Sequence, residues 1–351
     1  MYFAEHRYLG NCLQLPEHDS ADAADKSAKQ NPFTLENGLV TTYGEINGFS
    51  GDYFGLENPI SLETKLEDRK LKFKRWFDLL GKEKSGKPKA EALRAELKDL
   101  NDKADAAISS GKDEELSKVY ANNPLNITKL NAVSTSIPRA PGASFMELLK
   151  TNVDHFGPEA RVVYNVGHAI ALETAANGDL QKAYALNAFA DHFLEDSFAS
   201  GHMRTPRRQL YEIGKHGAEL FAPVINASSN VMHEEDGMVG LWSQSPSGER
   251  WKSYGDGRLP DHIPGATTTA LGQCQKALAV SVKEVHDAYT SKQVVPEAQF
   301  GAWQHAPILE TISTQPENHK PLLEIKGGNI YYRTGGIKST KYDEIKSPLD
   351  W

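Results

Sequence analysis

The sequence predicts a mainly α, multi-helix protein with a small β hairpin near its C-terminus. Three observations carry this. Apolar residues recur at helical spacing in several long stretches, as in Leu71, Phe73, Trp76, Phe77 and Leu80 within residues 62–80. Alternation appears only beyond about Pro321, where Leu322 to Tyr332 is interrupted by Gly327-Gly328. The 39% hydrophobic content of the 351 residues is enough for one substantial core. A single domain over residues 1–351 follows, with residues 81–121 a polar helical insertion and about 321–351 an irregular or β tail.

Taken in order, residues 5–13 read as a helix carrying His6, followed by a polar loop from Pro16 to Asn31. Residues 40–48 lead into Phe49-Ser50-Gly51-Asp52-Tyr53-Phe54-Gly55, a glycine-punctuated aromatic turn with one acid. Residues 81–121 are rich in Lys, Glu and Ala, with weak helical patterns flanking Ser109-Ser110-Gly111. They read as a solvated hairpin contributing little to the core. The core resumes at Phe145, Leu148 and Leu149. Pro158 suits the first turn of a helix over Ala160–Asn177, within which His168 reads as structural. A helix over 207–232 should kink or break at Pro223, and one more helix covers 266–289.

The run from Ala190 to His202 concentrates potential metal ligands in apolar surroundings. His192 and Asp196 are four apart and share a helix face. His202 lies ten beyond His192, about 280° round a continuous helix, so a break near Ser200-Gly201 is needed for the three to converge. A carboxylate among Leu186, Phe189, Phe193 and Phe198 must be paired or metal-bound.

Composition narrows the chemistry. Cys12 and Cys274 allow one disulfide at most and exclude cysteine-rich zinc modules, so a metal must be held by His and carboxylate. The net charge of -8 disfavours a broad basic groove for polynucleotide. No apolar run approaches the roughly 20 residues of a membrane span, and Met1 to His6 is no signal peptide. The expected location is secreted, with a signal already removed, the alternative being cytoplasmic; no obligate protein partner is evident. His-Glu-x-x-His, a phosphate loop, Gly-x-Ser-x-Gly and paired Glu-x-x-His motifs are all missing. Imidazole plus carboxylate without thiolate suits zinc and phosphate-ester hydrolysis.

His192-x3-Asp196-x5-His202, preceded by Gly178 to Ala183, resembles the central segment of the zinc-dependent phospholipase C family, which includes the fungal single-strand-specific nucleases. Gly51-Asp52-Tyr53 with Glu57-Asn58-Pro59, Asp154-His155-Phe156 and Glu5-His6 resemble its other ligand segments. The resemblance implies a zinc phospholipase C-like bundle binding two or three Zn2+ ions. Asp52, His155, His192 and Asp196 would hold one ion, with Asp196 bridging to another at His6. His202, a later His and a carboxylate would hold the remaining one.

The family spacing of four from that His to the acid is not found. His233 and Asp236 are preferred, three apart, with His216 and Glu219 the runner-up pair. The implied activity is phospholipase C: a zinc-activated hydroxide cleaves a glycerophospholipid at a membrane or micelle surface to diacylglycerol and a phosphorylated headgroup. Asp52 would also serve as base, and Tyr53 would face a choline ammonium. A nuclease or nucleotidase of the same superfamily, or a non-enzymatic helical metal-binding protein, are the alternatives.

Overall fold

The computed structural model describes residues 2–17, 27–110, 115–137, 142–216 and 222–346. Its first part is α1 (Phe3–Asn11), the two-residue strands β1 (Phe33–Thr34) and β2 (Val40–Thr41), and α2 (Tyr43–Phe49). Next come α3 (Leu66–Gly81), α4 (Gly86–Ser109), α5 (Leu116–Asn122), α6 (Ile127–Ser136) and α7 (Phe145–Lys150). A 3₁₀ turn at Val153–His155 leads to α8 (Gly157–Ala176), α9 (Leu180–Asp196), the single turn α10 (Ser200–Met203), α11 (Arg207–His216) and α12 (Ala222–Val239). The hairpin β3 (Leu241–Gln244) and β4 (Arg250–Ser253), then α13 (Ala270–Ser291), precede an antiparallel sheet of β5 (Leu323–Lys326), β6 (Asn329–Thr334) and β7 (Lys341–Ile345). The protein is mainly α, as the sequence predicts.

α9 is the axis of the molecule. Asp179 caps it by accepting from Lys182 N, and every residue from Ala183 to Asp196 is buried. A helix covered on all sides needs apolar neighbours on all sides; α8, α13 and α2 supply them. The polar groups it carries inward are therefore dehydrated, and each requires a partner. The break that follows lies at Ser197–Ala199, where Ala199 is extended, rather than at Ser200-Gly201.

Two expectations change. Within residues 81–121 the described helices are α4 and the start of α5, but α4 is part of the main core. Ala90, Leu93, Leu97, Leu100 and Ala104, spaced three and four apart, are all buried in it. Arg94 of α4 also pairs with Glu45, whose side chain completes the capping box of α2. The stripe is narrow and made of Ala and Leu, so the charged face around it dominates the composition. The C-terminal hairpin also gains a third strand, β7, whose sequence Lys-Tyr-Asp-Glu-Ile is too polar to announce itself. The sheet caps a satellite core in which Leu322, Leu323 and Ile330 meet Leu210, Ile225 and Met232 of α11 and α12.

Cys12 is exposed and Cys274 buried, and they do not pair. No described helix is long and apolar enough to cross a membrane.

Candidate metal centre

Two groups of ligand-type side chains meet around Asp196 at the end of α9. The first contains His6 of α1, Asp52 of the turn after α2, His155 of the 3₁₀ turn, and His192 and Asp196 of α9. Asp196 Oδ2 lies 2.7 Å from His155 Nδ1 and 3.5 Å from His192 Nε2. Its Oδ1 lies 3.7 Å from His6 Nε2 and 3.6 Å from His202 Nδ1. One carboxylate thus reaches four imidazoles. Burial opposes its ionisation, but the surrounding positive charge, the imidazoles of His202 and His192, and the hydrogen bond with His155 hold it well below the usual carboxylate range.

The orientation of two of the rings, His192 and His6, is fixed from behind. His192 Nδ1 donates to the Asn47 carbonyl at 2.9 Å, which leaves its Nε2 lone pair facing the group. His6 Nδ1 hydrogen-bonds Glu195, which also accepts from the Asn47 amide. His6 Nε2 is buried without a hydrogen-bond partner. Burial is the largest of the effects that drive His192 down to about 3 and His6 well below an ordinary imidazole, so both rings are neutral. Asp52 is pushed up by burial to about 6, although His155 opposes the shift. Gly51 makes room for this: its φ is +66°, and a Cβ there would lie 2.6 Å from His155 Cε1 and 3.2 Å from His192 Nε2.

The second group is His202 of α10, His233 of α12 and Asp256 of the loop after β4. His202 Nδ1 donates to the His155 carbonyl at 2.8 Å, so Nε2 faces Asp256 at 3.5 Å. His233 Nε2 is 3.7 Å from the other Asp256 oxygen. Gly201 serves here by close approach, since a Cβ on it would lie 2.5 Å from the His233 ring. The Asp256 loop is tied to α1 by Glu5, which accepts from the Gly257 and Leu259 backbone amides.

Asp236 does not stand with His202 and His233, and this corrects the expected pairing. Three residues beyond His233, it is turned about 60° off that face of α12. There the Arg204 guanidinium takes both of its oxygens, at 2.9 and 2.6 Å, and His319 Nε2 lies at 2.9 Å. The acid beside the two histidines is Asp256, which the sequence reading did not single out. It sits between glycines in an irregular loop, so no helical spacing connects it to either histidine; the flanking Gly255 and Gly257 are its only local mark. Of the runner-up pair, Glu219 and the His216 side chain lie outside the described residues.

His168 belongs to neither group. It bridges Asn187 at 2.6 Å and Glu284 at 2.9 Å, in a buried network with Tyr43, Asp191 and Ser281. Tyr53 is buried, and Phe145 stacks on one face of its ring at 5.3 Å.

Both groups border one cavity of about 460 Å³, reached by Asp52, His155, His202, His233 and Asp256. One side of the cavity is apolar, formed by Leu125, Ile127, Phe145 and Leu149 with Tyr53. The other is polar, formed by Asn152, Arg207, Asn226 and Asn230. Fold and site together define a helical protein whose His and carboxylate groups could hold a metal ion. Comparisons with family models, curated proteins and solved structures returned no match.

Proposed function

We propose that the protein is a zinc-dependent phosphodiester hydrolase, and that its substrate is a glycerophospholipid, cleaved to diacylglycerol and a phosphorylated headgroup. The observation that supports this best is Asp196, within reach of His6, His155, His192 and His202 beside a cavity with one apolar and one polar side. The donor set suits zinc: imidazoles, of which His6, His192 and His202 have one nitrogen held by a carboxylate or a carbonyl, and no thiolate. His6 Nε2, buried with no hydrogen-bond partner, asks for a ligand at that point. Burial raises Glu195 well above the carboxylate range, and a cation among the imidazoles would favour its ionised form and the His6 Nδ1–H tautomer. The fit assigns His6, Asp52, His155, His192 and Asp196 to one part of the site and His202, His233 and Asp256 to the other.

Zinc bound there supplies Lewis acidity that acidifies water and neutralises charge on a phosphate. The chain's own groups do the rest. Asp52, with its carboxyl near 6 and its place on the cavity wall, accepts a proton from the attacking water. Leu125, Ile127 and Leu149 receive the acyl-bearing side of the substrate. Ile127 is 49% exposed, which suits a rim that meets aggregated lipid.

Zinc-replete protein offered phosphatidylcholine, a phosphatidylinositol phosphate and single-stranded DNA tests the reading. Diacylglycerol release without nucleotide release is expected; nucleotide release alone moves the protein to the nuclease alternative, and neither product leaves a non-enzymatic metal-binding protein. Asp52→Asn should lower turnover by about two to four orders of magnitude while most zinc is retained. Parallel loss of metal and activity would reduce Asp52 to a ligand.

A further inference from the structure

Arg207 is a buried cation without an anionic partner. Its Nε donates to Asn152 Oδ1 at 2.8 Å and one terminal nitrogen to Asn226 Oδ1 at 2.7 Å. The other donates to the Leu149 and Lys150 carbonyls at the end of α7, at 3.3 and 2.7 Å. Among the described residues no carboxylate lies within ion-pair reach, and the residue is only 4% exposed. Burial pulls its guanidinium down to about 10. Carbonyl dipoles compensate part of this charge, but a buried charge with no counter-ion is costly.

The guanidinium also sets its neighbours. Arginine only donates, so the amide atoms of Asn152 and Asn226 that face it must be oxygens. Their Nδ2 groups are thereby turned away from it, and among the described residues neither has an acceptor. Both asparagines line the cavity together with Arg207 and Lys150. The wall therefore combines a buried positive charge, amide donors whose orientation is imposed, and a lysine.

Its distance from the metal groups says what it receives. Asn226 and His233 are two turns apart on α12, about 10 Å along the helix axis. A single phosphate held at His202, His233 and Asp256 cannot also fill the Arg207 wall. We propose that this wall is a subsite for a second oxyanion of the substrate, so that the headgroup is one bearing an anionic group beyond the scissile phosphate rather than a cationic one. This rests on the phosphodiester hydrolase reading above.

Calorimetry on the zinc-replete protein tests it, with inorganic phosphate and inositol 1,4-bisphosphate as probes. The bisphosphate should bind at least about ten-fold tighter than phosphate, the scale of one or two charge-assisted hydrogen bonds. Asn226→Leu and Arg207→Lys should each reduce that ratio several-fold while phosphate binding itself stays unchanged. Arg207→Lys keeps the charge but loses the fork that orients both amides. Should that variant fail to fold, Asn226→Leu removes one donor and leaves the clamp's other bonds. Equal affinity for the two probes, or a ratio unmoved by Asn226→Leu in folded protein, overturns the subsite. A single-stranded oligonucleotide binding with the same dependence on Asn226 also overturns it as a lipid-headgroup subsite. If neither phosphate binding nor phosphodiester hydrolysis is detected, the hydrolase reading fails, whatever the ratio.

Discussion

The two ligand groups differ in how the chain builds them. His192 and Asp196 stand on a helix buried on every side, and His6 on a helix nearly as buried, with Glu195 and Asn47 fixing the rings from behind. The second group hangs on a single helical turn, the middle of α12 and a loop, and its acid Asp256 is placed by backbone contacts such as Ser200 N to Tyr254 O and Gly255 N to Gly237 O. A ligand on a buried helix is oriented by the core, whereas one on a loop is oriented by whatever pins the loop. The first group should therefore hold its metal more tightly than the second.

The largest effect is expected at Asp196, which belongs to the first group and lies 3.6 Å from His202 of the second. Asp196→Asn should remove more metal than loss of any other single ligand and lower activity by more than the roughly 10–100-fold typical of changes around a metal site. Elemental analysis of the folded variant checks this, and retention of full metal content would break the comparison by showing that the groups are independent of it.

Next is the contrast between two acids of the second region. Asp256→Asn should release one ion and leave the first group loaded. Asp236→Asn should leave metal content intact, because Asp236 faces Arg204 and His319, yet lose about 3–5 kcal/mol of stability through a broken buried ion pair. Metal loss before unfolding in Asp236→Asn would return that residue to the ligand set.

The smallest effect belongs to neither group. Lys89 of α4 is buried over the Phe54 ring, and burial lowers it to about 8 from 10.5. The unfolded chain binds this proton more tightly than the folded one, so stability should rise as pH increases from about 8 towards 10. Above that, buried tyrosines such as Tyr43, raised well above 10 by burial, reverse the trend. Lys89→Met should flatten the rise and add up to about 3 kcal/mol at pH 7, with metal content unchanged; denaturant midpoints across this range report it.

The same contrast explains what could be read from the sequence. The helices, the shared face of His192 and Asp196, and the meeting of Asp52, His155 and His6 with them follow from spacing and a family resemblance, because helical periodicity is local. Asp256 was not legible, since a loop acid reaches its partners only through the tertiary path set by Glu5 and Gly237. The core role of α4 was obscured by its charged face, and that of Asp236 by an arginine distant from it in sequence.

The most direct measurement is the zinc content of the purified, undialysed protein followed during stepwise chelation. Two or three ions per chain are expected, one leaving before the rest, with Asp256→Asn lacking the early one. A chain that carries no zinc, or a single ion released in one step, would contradict the account.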